Sequence, residues 1–239
     1  MKKQKICIIG GSLTGLVTAI SLSKLNCEID LITGDFVKDF KSSRTIAVSE
    51  NNYNFLKRLS ISELFKKEIW ICSKMKLYTE VKKEKFTEIF ELNREEKNEN
   101  IFYMFENQKI MKLMLNRIKK IKSIFLKNNK KIYSIYTSEI LKNVKFKNNV
   151  SKYNLVIISA GSENALIKNF FNDKVIKNSY KEFAIAAIIE HSAVNNITAR
   201  QIFLDNSIFA MLPVSKTKTS IVWSIKNSMK NKSDNFFKE

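Results

Sequence analysis

Apolar residues open the chain as an unbroken run from Ile6 to Ile9, and the spacing then lengthens to that of a helix over Leu16 to Leu25. Four successive apolar positions predict a strand covered on both faces. A second strand is expected at Glu28 to Ile32, so residues 5 to 33 read as one strand–helix–strand unit closed by a turn at Gly34 and Asp35. Helical spacing returns through Phe55, Leu56 and Leu59. Between residues 73 and 92, Met75, Leu77, Tyr78, Phe86, Ile89 and Phe90 suggest antiparallel strands, followed by a polar connection from Arg94 to Asn100. Asn107 to Lys122 carries Ile110, Leu113, Met114, Ile118 and Ile121 on one helical face with lysines between them.

A second strand–turn–helix follows, with the strand at Tyr153 to Ser159, a turn of small residues at Ala160-Gly161-Ser162 and a helix over Ala165 to Phe171. From Phe183 to Trp223 the pattern becomes that of strands, at Ala184 to Ile189, Gln201 to Leu204, Ile208 to Leu212 and Thr219 to Ser224, with Pro213 the only proline. These positions predict a mostly antiparallel sheet. The stretch Lys226 to Glu239 is polar and rich in Lys and Asn.

Composition changes this picture little. Of 239 residues 44% are hydrophobic, enough for a real core, and no segment reaches the roughly 18 to 20 apolar residues of a membrane span. Forty-two Lys and Arg against 23 Asp and Glu give a formal charge of +19. Such a balance attracts nucleic acid or an anionic membrane. The excess, however, is nearly all Lys, dispersed among Asn and Ile as an AT-rich coding sequence would give, so a nucleic-acid partner is not expected. Cys7, Cys27 and Cys72 have neither disulfide nor metal-ligand spacing, which points to a reducing, cytoplasmic compartment and to no metal site. His191, the only histidine, is placed at a polar strand end, and no catalytic acid, base or triad is legible.

Candidate chemistry concentrates at Gly10-Gly11-Ser12-Leu13-Thr14-Gly15, which lies between the first strand and its helix, where a dinucleotide fingerprint belongs. Gly10 allows the tight turn and Gly15 the close packing of helix on strand. Ser12 replaces the middle glycine, which ordinarily leaves room for a pyrophosphate at the helix N-terminus. At the end of the second strand, where an acidic residue accepts the ribose hydroxyls, stands Thr33, with Asp30 and Asp35 out of register.

Further segments, in order, resemble the ubiquinone-biosynthesis branch of the FAD-dependent aromatic hydroxylases, relatives of p-hydroxybenzoate hydroxylase. They are Ser43-Arg44-Thr45-Ile46-Ala47-Val48-Ser49, Tyr103 to Ile110, Leu155 to Gly161, Thr198 to Leu204, Ala210 to Pro213 and Ser220 to Ser224. The resemblance covers about residues 4 to 225. It implies that Gly10, Gly11, Ser12, Thr14, Gly15 and Thr33 meet the nucleotide of FAD, that Arg44 and Asn107 contact the flavin side, and that Gly161 belongs to the family's Asp-Gly motif, whose aspartate is Ala160 here.

The implied fold is α/β: a Rossmann-like FAD-binding domain of three layers, ββα, interleaved with a mostly antiparallel substrate-domain sheet. The expected segments are 1–72 and 101–172 for the FAD-binding domain, and 73–100 and 173–239 for the substrate domain. The family continues with a Gly-Asp segment and a glycine-rich stretch that this sequence does not contain, so a fold incomplete at its C-terminus, from a truncated or split gene, is expected. The implied reaction uses NAD(P)H and O2 to hydroxylate a polyprenylated phenol through a flavin hydroperoxide. It would take place in the cytoplasm or peripherally at the inner membrane, in association with a ubiquinone-biosynthesis complex. Ser12, Thr33 and Ala160 leave open a second reading, a non-catalytic partner of such a hydroxylase. A basic binding protein unrelated to flavin is the third.

Overall fold

The structure, a computed structural model, describes residues 3–34, 44–64, 66–82, 85–95, 99–161, 165–171, 176 and 178–227. Asp35, Ser43, Ser162 and the Lys- and Asn-rich tail from Ser228 lie outside the described residues. The chain forms two compact units, Met1–Ser42 with Ile110–Ile176, and Ser43–Lys109 with Lys177–Glu239. These divisions fall at 42/43, 109/110 and 176/177, where the sequence placed them at 72/73, 100/101 and 172/173. Pairing explains the difference. The Arg44 and Tyr103 segments are strands bonded to one another, so both go with the second unit.

The first unit is built on four parallel strands in the order β12 (Leu155–Ile158), β1 (Gln4–Ile9), β2 (Cys27–Thr33) and β8 (Ile124–Asn128). Helix α1 (Leu13–Leu22) connects β1 to β2 and lies against both. It buries Gly15, Leu16, Ala19 and Ile20. Alternation along β1 and β2 sends Ile6, Ile8, Ile29 and Leu31 to one face and Cys7, Ile9, Asp30 and Ile32 to the other. The latter face is covered by an antiparallel meander, β9 (Ser134–Ser138), β10 (Leu141–Lys145) and β11 (Val150–Tyr153). Cys7, Ile9, Ile32, Val144, Phe146 and Tyr153 form one core cluster there. Each such aliphatic or aromatic side chain contributes roughly 1.5 to 3 kcal/mol on burial. Meander, parallel sheet and helix are the three expected layers.

Inside that core sits a carboxylate. Asp30 is 3% exposed, and its Oδ2 accepts hydrogen bonds from the Tyr153 hydroxyl at 2.6 Å and from Lys127 Nζ at 2.7 Å, with Lys5 Nζ 3.8 Å away. An isolated buried charge is costly, and one that is paired and hydrogen-bonded is tolerated. The group joins β1, β2, β8 and β11. Burial, and then donation to Asp30, push the Tyr153 hydroxyl pKa up.

The second unit holds a six-stranded sheet in the order β13 (Glu182–Glu190), β16 (Lys218–Lys226), β15 (Ser207–Pro213), β14 (Thr198–Leu204), β5 (Lys74–Lys82) and β6 (Lys85–Asn93). All neighbours are antiparallel apart from β14 and β5, which run parallel. A small antiparallel sheet, β3 (Thr45–Ser49), β7 (Phe102–Glu106) and β4 (Trp70–Cys72), packs with helix α2 (Glu50–Arg58). Helix α3 (Asn107–Ile118) follows β7 and buries Ile110, Met111, Met114, Leu115 and Ile118. It ends four residues before the expected Lys122, and Met111 and Leu115 take the buried places expected for Leu113 and Ile121. Helix α4 (Ala165–Phe171) follows β12 as the sequence predicts.

The three thiols are buried. Burial, helped by the Asp30 charge, pushes Cys7 up to about 12; burial alone pushes Cys72 up to about 12 and raises Cys27. Native protein is therefore expected to resist a thiol reagent at pH 8 and to expose three reactive thiols on unfolding. Because the unfolded thiols ionise from their ordinary 9.0 while Cys7 and Cys72 hold their protons to about 12, the unfolded state loses protons first. Stability, followed by urea titration, should be undiminished by these groups below pH 9 and fall between pH 9 and 12.

Candidate functional site: a nucleotide cleft

The turn after β1 is shaped by contacts that exclude side chains. Gly10 has φ +127°, and a Cβ there would run into the Ser159 carbonyl at the end of β12. A Cβ on Gly15 would run into the Gly10 carbonyl oxygen and stand 2.9 Å from Ser159 Oγ. Backbone bonds hold the strands at this spacing: Gly10 N donates to Ile32 O at 2.9 Å, and Ser159 N to Ile9 O at 2.7 Å. Both glycines thus do what the fingerprint requires of its first and last positions.

Ser12 has ordinary extended backbone, φ −71° and ψ 173°, and its carbonyl accepts the first helical bond, from Leu16 N. Its hydroxyl does not cap the helix; it donates to Ser159 O at 3.2 Å. With that proton committed, the serine oxygen offers an anion only lone pairs. The N–H groups of Leu13, Thr14 and Gly15 have no partner within the helix, as at any helix start.

Beside this turn lies a cleft of about 670 Å3 at the carboxyl ends of β1, β2 and β12, with Gly10, Thr33, Gly34, Asn129 and Ala160 in its wall. The chain leaves β1 for β2 on one side while β12 flanks it on the other, so the cleft sits where strand order reverses, the usual ligand position of open parallel sheets. Thr33 is buried and its hydroxyl donates to Asn128 Oδ1 at 2.9 Å. Among the described residues of the wall none is acidic. Asp30 serves Tyr153 and Lys127 in the core and is spent there. Gly161 has φ +82°, a backbone conformation suited to glycine.

Of the residues singled out in the sequence, Gly10 and Thr33 share the cleft, Gly11, Ser12, Thr14 and Gly15 form the adjoining turn and helix start, and Gly161 follows Ala160. Arg44 and Asn107 belong to the second unit. They are neighbours at one end of the β3–β7 ladder, where Asn107 N donates to Arg44 O at 3.0 Å. Toward the other end of that ladder Tyr53 and Tyr103 stack with centroids 3.8 Å apart. Tyr103 donates to Glu50 at 2.7 Å and accepts from Asn100, and burial pushes its hydroxyl up to about 12. His191 bonds Thr219 and the Ser192 carbonyl at the end of the large sheet, a structural place. In the sequence Ser159 is only a strand end and a member of the Leu155 to Gly161 segment, and Asn128 and the Asn129–Tyr133 wall are not singled out. Consecutive asparagines at 128 and 129, the second with φ +54°, were the available turn signal.

No protein-family model and no curated protein matches the chain. Solved structures do. PqsL, a probable FAD-dependent monooxygenase from Pseudomonas aeruginosa, superposes with TM-score 0.79 at 10% identity over 97% of this chain and 63% of its own. The p-nitrophenol 4-monooxygenase PnpA from Pseudomonas putida gives 0.74 at 13% identity, over 95% and 59%. HpxO from Klebsiella pneumoniae, solved with FAD and uric acid, gives 0.72 at 13%, over 92% and 56%. The fold is that of these monooxygenases. The chain spans somewhat under two thirds of their length.

The Gly15 contact makes a direct prediction. Alanine in a helix gains roughly 0.5 to 1 kcal/mol over glycine, whereas forcing a methyl against fixed backbone costs roughly 1 to 3 kcal/mol. Gly15→Ala should therefore be net destabilising in urea denaturation, and an unchanged or raised midpoint would contradict the close approach.

Proposed function

We propose that this chain is the nucleotide-binding and substrate-sheet portion of an FAD-dependent aromatic monooxygenase. The observation that carries the reading is the Gly10–Gly15–Ser159 junction, two positions that admit no Cβ beside a cleft at the reversal of strand order. These residues fit the adenosine diphosphate half of a flavin dinucleotide: the free N–H groups of α1 would hold the pyrophosphate and the Thr33 end of the cleft the ribose. Arg44, Asn107 and Gly161 are assigned to the remainder of the flavin by the segment resemblance. When bound and reduced by NAD(P)H, the flavin would activate O2 for transfer of one oxygen atom to an electron-rich ring. The protein's part is to bind, orient and exclude water.

For the substrate we favour a polyprenylated phenol of ubiquinone biosynthesis. Three of the segments that resemble that branch most closely are β14, β15 and β16, adjacent strands of the large sheet. The structural neighbours took other small compounds, 2-aminobenzoylacetate in PqsL and uric acid in HpxO. No helix among the described residues is long and apolar enough to cross a membrane. A cytoplasmic protein whose lysines rest on anionic inner-membrane lipid, beside other proteins of the pathway, would meet such a substrate.

A specific observation favours a second reading, a non-catalytic partner of a working hydroxylase. The Ser12 hydroxyl is turned to Ser159, and positions 33 and 160 carry no carboxylate. Titration of FAD with the purified chain, followed by quenching of flavin fluorescence, separates the two. Saturable binding is expected, and Ser12→Gly should tighten it by about fivefold, the equivalent of about 1 kcal/mol. Absence of binding by both proteins would discard the flavin reading in favour of the partner role.

A further inference from the structure

A second pocket, of about 640 Å3, adjoins the nucleotide cleft and shares with it the wall Asn129, Lys130, Lys131 and Tyr133. It also takes in the turn between β10 and β11, where Phe146 N donates to Asn149 O at 2.8 Å and Lys147 and Asn148 join the lining. Tyr133 N donates to Lys145 O at 2.9 Å, which fixes the shared wall against the same β10 strand. Four lysines line the pocket, and among its described lining residues none is acidic. Lys127 is neutralised by Asp30 at 2.7 Å. Among the described residues Lys130, Lys131 and Lys147 have no carboxylate partner, and Lys131 Nζ stands 5.4 Å from the Tyr133 ring centre. Tyr133 is 52% exposed.

Uncompensated cations gathered around one pocket favour a multiply charged anion, and the half-exposed Tyr133 offers a planar base a stacking surface. We infer that this pocket receives the 2′-phosphate of a phosphorylated nicotinamide dinucleotide, so that the reductant is NADPH in preference to NADH. The reductant role rests on the flavin reading above; the phosphate site rests on the pocket alone. A phosphomonoester near neutral pH carries up to two negative charges and three acceptor oxygens, which Lys130, Lys131 and Lys147 can meet. The unphosphorylated ribose of NADH offers these lysines no charge.

Calorimetric titrations of the full chain, with and without saturating FAD, decide the matter. The probes are adenosine 2′,5′-bisphosphate, adenosine 3′,5′-bisphosphate and 5′-AMP at fixed salt. The 2′,5′-bisphosphate should bind about tenfold more tightly than 5′-AMP and more tightly than the 3′,5′ isomer. In Lys130→Glu/Lys147→Glu its advantage over 5′-AMP should fall to within about twofold. Equal affinity for 2′,5′-bisphosphate and 5′-AMP would overturn the site. Equal affinity for the two bisphosphates would overturn its assignment to the 2′-phosphate, and so would an advantage that survives the double substitution. If FAD fails to bind while the 2′,5′ preference persists and depends on Lys130 and Lys147, the flavin reading falls and the phosphate site stands.

Discussion

The first unit depends on two backbones passing closer than any side chain allows. The end of β12 lies against the turn after β1, and Gly10 and Gly15 are the residues that let it do so. Separating these segments to admit a methyl would lengthen the Ser159 N to Ile9 O bond, and with it the register that carries Ile6 to Ile9 alongside Leu155 to Ile158. The cleft is a by-product of the same contact. With the strand ends tied together at their base, the chain segments leaving β1, β2 and β12 diverge above them.

Charge within the unit is used sparingly and locally. A protein with 42 Lys and Arg could neutralise a buried Asp30 from many directions, and it does so with Lys127 and Lys5 from the two adjoining strands, β8 and β1. The tyrosine hydroxyl supplies the shortest of these bonds, from the covering meander. Layer, strand and edge therefore meet at one oxygen. The same economy leaves other lysines uncompensated, and those on the Asn129–Tyr133 wall differ from the rest of the cationic surface because the fold gathers them around a concavity.

Sequence made the parallel strands and the fingerprint legible because each obeys a strong local rule: β1 and β12 are continuous apolar runs, and the glycine turn sits where a strand gives way to a helix. The antiparallel strands β13 to β16 were legible for a similar reason, with apolar stretches bounded by polar turns. Residues 123 to 153 were not. Strands β9 to β11 are four or five residues long and mix Lys and Ser with their apolar positions, and β10 buries the polar Asn143, so only Ile135, Val144 and Tyr153 mark the side that joins the core cluster. The segments at Ser43–Ser49 and Tyr103–Ile110 were read for their residues and not for their pairing, which is why β3 and β7 shifted the division of the chain. The engagement of Ser12 and Thr33 with Ser159 and Asn128 is a matter of side-chain geometry between distant positions, and no spacing in the sequence encodes it.

The parallel pairings have a consequence for the order of events during synthesis. β1 must wait for β12, just before which the Asn154 side chain accepts the Lys5 amide across 149 positions, and β5 must wait for β14. Until those late strands arrive, β1 and β5 each have one flank without its final neighbour. Closing such long loops is entropically expensive and slow. A nascent chain therefore leaves one edge of Ile6 to Ile9 unpaired until the β12 residues have been made, a burden that falls on the ribosome's exit environment and on chaperones.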